Sequence, residues 1–233
     1  MIQTSRAKGL PKESPNKAVG ISFGRPIRRM TILTNIWIAI RNGFWGRITR
    51  LSTSLLCCPV GGYTRLVEVG YGAGRVLEHC TSAMPEVKGF IGVDINPVIV
   101  ARNKANFAQN PRLQYLSADA SGWLQQNGQP GTILLTYGGV MEYFSVDTLT
   151  AMFCTLSQHP PSAVALVEPV DPAHNLANDA VSHAFGQENL FSHNHEKLLK
   201  AAGYQVVFVK TLRVDGISLV MLLATTRQPG ALP

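Results

Sequence analysis

The length and composition indicate one globular domain with room for an appended segment. The chain has 233 residues, of which 45% are hydrophobic and 15% are charged, which excludes a disordered chain and allows a full core. Its four cysteines form no C-x-x-C pair and nothing in their spacing indicates a disulfide framework, so a reducing, cytoplasmic location is predicted.

The net charge of +7 is concentrated in the N-terminal third of the chain. Residues 1–67 carry eleven Lys or Arg against one acid, whereas residues 68–233 carry ten against thirteen. This asymmetry is typical of a basic arm, a membrane-facing helix or a presequence.

The first 60 residues divide into a tail and a helical segment. Residues 1–29 contain three prolines among scattered basic residues, which predicts a flexible basic tail. Residues 30–60 have apolar side chains at helical spacing, which predicts one helix or two short ones. The unbroken apolar stretch is too short to cross a bilayer, which takes about 20 residues. An interfacial helix, a nucleic-acid contact and an organelle presequence stay open for this basic third.

Regular alternation of strands and helices begins near Thr64, and residues 61–228 are predicted to form one domain. The predicted strands are residues 65–69, 89–95, 113–118, 132–137, 163–168, 204–212 and 217–225, and the predicted helices between them are Arg75–Ser82, Pro97–Ala108, Ser121–Gln126 and Val146–Gln158. This order predicts a doubly wound, Rossmann-like α/β sheet of about seven mostly parallel strands. The short "RVDG" link before the last strand predicts an antiparallel C-terminal pair.

A glycine turn preceded by a carboxylate follows the first strand. Gly70, Gly72 and Gly74 give G-x-G-x-G, and Arg75 occupies the place of the third glycine of a dinucleotide fingerprint. Glu68 precedes the turn by two residues, where it would repel a pyrophosphate and attract an ammonium group. The turn therefore predicts a cationic nucleoside ligand.

Two further acids follow the next two strands. Asp94 ends the second strand, 24 residues beyond Gly70, a position that suits an acid bound to ribose hydroxyls. Asp119 follows the third strand, where it could meet an adenine amino group or simply begin a helix.

Together these motifs resemble the class I S-adenosylmethionine-dependent methyltransferases, from Val67 to about Val170. The closing segment, with "LLKAAGYQVVFVK" and "ISLVMLLAT", is similar to that family's last helix and strand pair. The resemblance implies S-adenosylmethionine as cofactor and a cofactor site made by Glu68, Gly70, Gly72, Gly74, Asp94, Ile95, Asp119, Ala120 and Tyr137. It also implies that residues 30–60 form a helical lid over the cleft.

The substrate is less clearly encoded. The stretch "TYGG" stands where amino-methylating nucleic-acid enzymes of the family carry an Asn-Pro-Pro-Tyr type motif. This favours a small molecule, a secondary metabolite among others, methylated at oxygen or nitrogen. A base helps when the acceptor is a hydroxyl or a protonated amine, and the candidates are His193, His195 and Glu142, with His193 ranked first.

Two alternative functions stay open for the chain, and a metal site is considered. The basic segment could instead direct a methyltransferase to RNA or lipid, with peripheral membrane contact, or the chain could bind the cofactor without catalysis. Asp171, Asp179 and four histidines lie within 25 residues of one another, but their spacing matches no regular ligand pattern. No metal site is therefore predicted.

Overall fold

Strands and helices alternate along the part of the chain that the computed structural model describes, residues 62–226 without 187, 189 and 215. The strands are β1 Arg65–Val69, β2 Gly89–Asp94, β3 Leu113–Ser117, β4 Thr132–Tyr137, β5 Ser162–Val170, β6 His183–Phe185, β7 Leu190–Ser192, β8 Gln205–Val214 and β9 Ile217–Thr225. The helices are α1 Arg75–Ala83, α2 Pro97–Asn106, α3 Ala120–Asn127, α4 Val146–Ser157 and α5 His195–Ala201, with a 3-10 turn at Met141–Tyr143. The predicted tail and helical lid lie outside the described residues.

Seven strands form one sheet in the order β3-β2-β1-β4-β5-β9-β8. Strands β1 to β5 pair in parallel, and β9 runs antiparallel to both β5 and β8. The predicted Rossmann-like sheet with an antiparallel C-terminal pair is confirmed. Both β2 and β4 lie beside β1, so the strand order reverses there and a crevice opens at the carboxyl ends of these strands.

Hydrophobic cores cover both faces of the sheet. On one face α1 packs against Leu66 and Phe90 through its own fully buried residues Leu77 and Cys80. On the other face α3, α4 and α5 enclose the second core, which includes Leu134 of β4. Strand β1 is buried at all five positions, because neighbouring strands flank it and helices cover both of its sides.

Polar caps explain where four of the helices begin. The side chains of Asn96, Asp119, Ser145 and Asn194 each accept a backbone N–H hydrogen bond from the first turn of α2, α3, α4 and α5 respectively. Pro97 occupies the first turn of α2, where no N–H is needed. In α2, α3 and α4 these local signals place the helix start within one residue of prediction.

A short hairpin in the histidine-rich segment was not predicted. Strands β6 and β7 pair antiparallel and form a second, two-stranded sheet. With three residues each, these strands are too short to show an alternating pattern. Among the described residues, no helix is long and apolar enough to cross a membrane.

Candidate active site

The glycine turn after β1 lies at the crevice of the main sheet. Gly70, Gly72 and Gly74 have φ values of 65°, 51° and 72°, a left-handed conformation that favours glycine. The N–H of Gly70 donates to the carbonyl of Val93 at 2.9 Å, so the turn is tied to the end of β2. The predicted turn is therefore present, with all three glycines in the conformation that requires them.

The three glycines differ in what surrounds them. A Cβ on Gly70 would meet the side chain of Val140 at 2.7 Å, and one on Gly74 would meet the hydroxyl of Tyr115 at 2.9 Å. A Cβ on Gly72 would meet nothing within 4 Å. Gly70 and Gly74 thus serve close packing, while Gly72 leaves open space over the turn.

Glu68 is buried beneath the first turn of α1. Its side chain is 2% exposed, and its carboxylate accepts a hydrogen bond from the backbone N–H of Leu77. Burial, with a smaller contribution from the charge of Asp94, raises the pKa of Glu68 to about 8. Its Oε2 atom has no hydrogen-bond partner among the described residues. A nearby cation would stabilise the ionised form of this carboxyl group.

Asp94 and Ile95 stand where β2 ends. One carboxylate oxygen of Asp94 accepts the backbone N–H of Asn96 at 2.9 Å, which holds the side chain at the edge of the sheet. Asn96, rather than Asp94, caps the following helix. Ile95 is 76% exposed, an unusual position for a large apolar side chain beside a carboxylate at a crevice. This pair offers a polar contact and an apolar contact side by side.

The remaining predicted cofactor residues are placed by the ends of β3 and β4. Asp119 caps α3 with a 2.7 Å hydrogen bond from the N–H of Gly122, so the helix-start interpretation of this acid is realised. Ala120, next to it, is buried. Tyr137 ends β4, and burial followed by the charge of Glu68 raises the pKa of its hydroxyl. Their contacts with a cofactor stay predictions.

Glu168 is a buried acid that was not among the predicted site residues. It lies in β5 with no exposed surface, and its Oε2 atom accepts the backbone N–H groups of Val140 at 2.8 Å and Met141 at 3.0 Å. Burial raises its pKa to about 7, against the lowering effect of Thr136 and of these two N–H groups. An acid inside the apolar run "AVALVE" was the signal that could have identified it.

Glu142 lies in the 3-10 turn beyond β4. Its side chain is 6% exposed, and its Oε1 atom lies 2.6 Å from where a Cβ on Gly139 would stand. Gly139 has a φ of 93°, so the loop that carries Glu142 depends on glycine there. The carboxylate is thereby held against the loop at the carboxyl ends of β4 and β5.

His193 joins two loops above the sheet. It is 1% exposed, with Nδ1 2.8 Å from the hydroxyl of Ser182 and Nε2 3.1 Å from the carbonyl of Phe144. The carbonyl only accepts, so Nε2 carries the proton and Nδ1 accepts from Ser182. Burial lowers the pKa of His193. These contacts hold the β6–β7 hairpin against the loop after β4, and the role as a base stays a prediction.

His195 is the first residue of α5 and is 2% exposed. Burial, followed by the charges of His193 and His174, lowers its pKa to about 3. A base with so low a pKa is almost always unprotonated at neutral pH but accepts protons weakly. Asn194 caps the helix at this position.

No protein-family model and no curated protein sequence matches the chain. Solved structures do match it at low identity. Magnesium protoporphyrin IX methyltransferase from Synechocystis PCC 6803, with bound S-adenosylhomocysteine, gives a TM-score of 0.54 at 13% identity over 86% of this chain and 94% of that one. The N-methyltransferase NodS from Bradyrhizobium japonicum WM9 gives 0.54 at 12% identity over 78% and 87%.

The glycopeptide N-methyltransferase MtfA, also crystallised with S-adenosylhomocysteine, gives a TM-score of 0.52 at 12% identity over 78% of this chain and 89% of that one. At identities this low, the comparisons show a shared fold and no shared activity. The chain has the fold of the class I S-adenosylmethionine-dependent methyltransferases, as the glycine turn and acids predicted.

Proposed function

We propose that the protein binds S-adenosylmethionine and transfers its methyl group to an oxygen or nitrogen of a small molecule. The observation that carries this proposal is the position of Asp94 at the end of β2, at the crevice where the glycine turn leaves open space at Gly72. The charge of Asp94 influences the pKa of both Glu68 and Tyr71, which bracket the start of the turn. The fold of the three methyltransferases above supports the same ligand.

The residues present fit this cofactor. Asp94 can accept hydrogen bonds from ribose hydroxyls with its second carboxylate oxygen, and the exposed side chain of Ile95 offers an apolar surface to adenine. Glu68 contributes a buried oxygen without a partner among the described residues, and in its ionised form this carboxylate would attract a cationic group of the ligand. The bound cofactor supplies an electrophilic methyl group on a sulfonium.

Positioning is the main task left to the protein in such a transfer. A base is needed only when the acceptor is a hydroxyl or a protonated amine. Glu142 is the first candidate, since its carboxylate lies by Gly139 and Pro169 at the carboxyl ends of β4 and β5. His193 is engaged at both ring nitrogens, and the low pKa of His195 makes it a weak proton acceptor.

The substrate class rests on the sequence and on the neighbours. The loop "TYGG" after β4 lacks the Asn-Pro-Pro-Tyr type motif, and the neighbouring methyltransferases include one for a porphyrin and one for a glycopeptide. Both observations support a small or compact acceptor. A role for the basic segment in reaching RNA or lipid is the alternative, and a steep fall of substrate affinity with salt would favour RNA.

The experiment is methyl transfer traced by mass. The protein is incubated with S-adenosylmethionine carrying a trideuterated methyl group and with fractionated metabolite extracts, and products are sought by their mass increase. A labelled product that disappears with Asp94→Ala supports the proposal. Cofactor binding without labelled product in metabolite, RNA or lipid fractions would instead favour a non-catalytic relative.

A further inference from the structure

The segment between β5 and α5 brings two histidines and an aspartate to one point. A ring nitrogen of His174, a ring nitrogen of His183 and a carboxylate oxygen of Asp179 all lie within 4.8 Å of one another. The irregular spacing of these residues in the sequence predicted no metal site. Backbone turns after Asp171 and the β6–β7 pairing fold that irregular spacing into a cluster.

We propose that this cluster binds a divalent transition-metal ion of the Zn²⁺ class. Two imidazoles and a carboxylate are a ligand set that such ions prefer. The inference goes beyond the proposed methyl transfer and does not depend on it, since the residues involved are separate from those assigned to the cofactor. Its test measures metal binding alone.

His174 presents a buried nitrogen to the cluster. Its side chain has no exposed surface, and its Nε2 atom lies 4.0 Å from Oδ2 of Asp179 with no hydrogen-bond partner among the described residues. The backbone carbonyl of Asp179, which acts to raise the pKa of His174 against the lowering effect of burial, already accepts from the side chain of Asn194 at 2.6 Å. Leaving a buried ring nitrogen without a partner is unfavourable. A metal ion would supply that partner.

The other ring nitrogen of His174 is held in a way that suits metal binding at Nε2. Nδ1 lies 2.8 Å from the hydroxyl of Ser192, and the same hydroxyl oxygen accepts the backbone N–H of Asp171 at 3.0 Å. A hydrogen bond at one ring nitrogen fixes the orientation of an imidazole whose other nitrogen binds a metal. Ser192 therefore positions His174.

The carboxylates are oriented by their own hydrogen bonds. Oδ1 of Asp179 accepts the backbone N–H of Val181 at 2.8 Å, which directs Oδ2 toward His174. Oδ2 of Asp171 lies 3.1 Å from Nε2 of His183. A carboxylate in this position either orients the second imidazole or becomes a fourth ligand.

Small movements are enough to complete the coordination. Zinc bonds of about 2.0–2.2 Å place tetrahedral ligand atoms about 3.3 Å apart, so the cluster must contract by on the order of 1 Å. The side chains of Asp179 and His183 are 45% and 37% exposed and can move without disturbing the core. The same exposure leaves room for a water ligand.

The experiment titrates Zn²⁺ into the tag-free full chain by calorimetry, with a competing chelator, and repeats the titration with three variants. His183→Ala and Asp179→Ala remove partly exposed ligands, and their folding is checked by circular dichroism. His79→Ala, on α1, is the matched control for loss of a histidine. His174→Ala is avoided as the deciding variant because its side chain is buried.

We expect one Zn²⁺ per chain with a dissociation constant of about 1 μM or below, and at least tenfold weaker binding in His183→Ala and Asp179→Ala. Binding by His79→Ala should equal that of the unaltered chain. The proposal is overturned if the unaltered chain shows no saturable binding, or if His183→Ala and Asp179→Ala bind as tightly as it does. An equal loss in His79→Ala would also place the ion elsewhere.

Discussion

The carboxylate of Glu168 in β5 accepts a hydrogen bond of 2.8 Å from the backbone N–H of Val140, in the loop after β4. The side chain of Val140 in turn fills the space where a Cβ on Gly70 would stand. The buried acid therefore fixes the loop that packs against the glycine turn, and it connects the fourth and fifth strands to the cofactor crevice.

Two substitutions of Glu168 should distinguish the effect of its hydrogen-bond acceptor on stability from the effect of its negative charge. Glu168→Ala leaves two N–H groups without their acceptor, which costs about 1–3 kcal/mol for each buried group, so the melting temperature should fall. Glu168→Gln keeps an acceptor oxygen. The pKa of Glu168 is about 7 in the folded protein and 4.5 for the free side chain. The protonated carboxyl group therefore contributes its full stability below about pH 4.5, and this contribution is lost as the pH rises through about 7.

Glu168→Gln should thus gain stability relative to the unaltered protein between about pH 5 and pH 8, as thermal unfolding would show. Equal melting temperatures for Glu168→Ala and the unaltered protein would show that the hydrogen bonds from Val140 and Met141 to Glu168 do not stabilise the fold.

Cofactor binding should release a proton from Glu68. Its pKa of about 8 leaves it mostly protonated at neutral pH, and a bound cation favours the ionised form. Calorimetric titration of S-adenosylmethionine at about pH 7, in buffers of different ionisation enthalpy, should show this release as a buffer-dependent heat. Glu68→Gln should abolish the dependence while retaining an acceptor for the N–H of Leu77. Heats that do not differ between buffers would contradict the prediction.

Asp94→Ala should weaken cofactor binding at least tenfold without unfolding the protein. Hydrogen bonds to a charged group contribute about 1.5–3 kcal/mol each, and Asp94 lies at a strand end outside both cores. Asp94→Asn keeps an acceptor for the N–H of Asn96 and should lose less affinity. Asp147→Ala, an exposed acid in the first turn of α4, is the control, and affinity is measured by calorimetry. Unchanged affinity in folded Asp94→Ala would show that the ribose contact lies elsewhere.

Glu142 and His193 are distinguished by comparing stability with turnover. Glu142→Gln should lower turnover about 10²–10⁴-fold when the acceptor is a hydroxyl or a protonated amine, with cofactor affinity unchanged. His193→Ala removes hydrogen bonds to Ser182 and Phe144 and should mainly lower the melting temperature. If His193→Ala instead keeps its melting temperature, slows turnover and loses a pH–rate limb, His193 is the base. Equal rates in both variants and the unaltered protein would mean that positioning alone drives transfer.

The fold could be predicted because the sequence patterns that determine its strands and helix starts are local. Apolar runs such as "TILLTY" are buried strands, and Asn96, Ser145 and Asn194 are polar caps at helix starts. The glycine turn was equally visible, since three left-handed residues at alternate positions favour glycine.

The surroundings of the site could not be read in the same way. Whether His193 faces solvent or forms two hydrogen bonds depends on Ser182 and Phe144, which lie 11 and 49 residues away in sequence. The cluster of His174, Asp179 and His183 likewise depends on turns and a hairpin with no regular spacing. Glu168 holds the loop after β4 because it is buried inside the sheet next to Val140 and Met141, which are distant in sequence.

The preference that defines the site is for a nucleoside that carries an ammonium group over a dinucleotide. Calorimetric titration of the full chain with S-adenosylhomocysteine and, separately, with NAD tests it most directly. We expect a dissociation constant in the micromolar range for S-adenosylhomocysteine, about −8 kcal/mol, and far weaker binding of NAD. Tighter binding of NAD, or no binding of S-adenosylhomocysteine by folded protein, would contradict it.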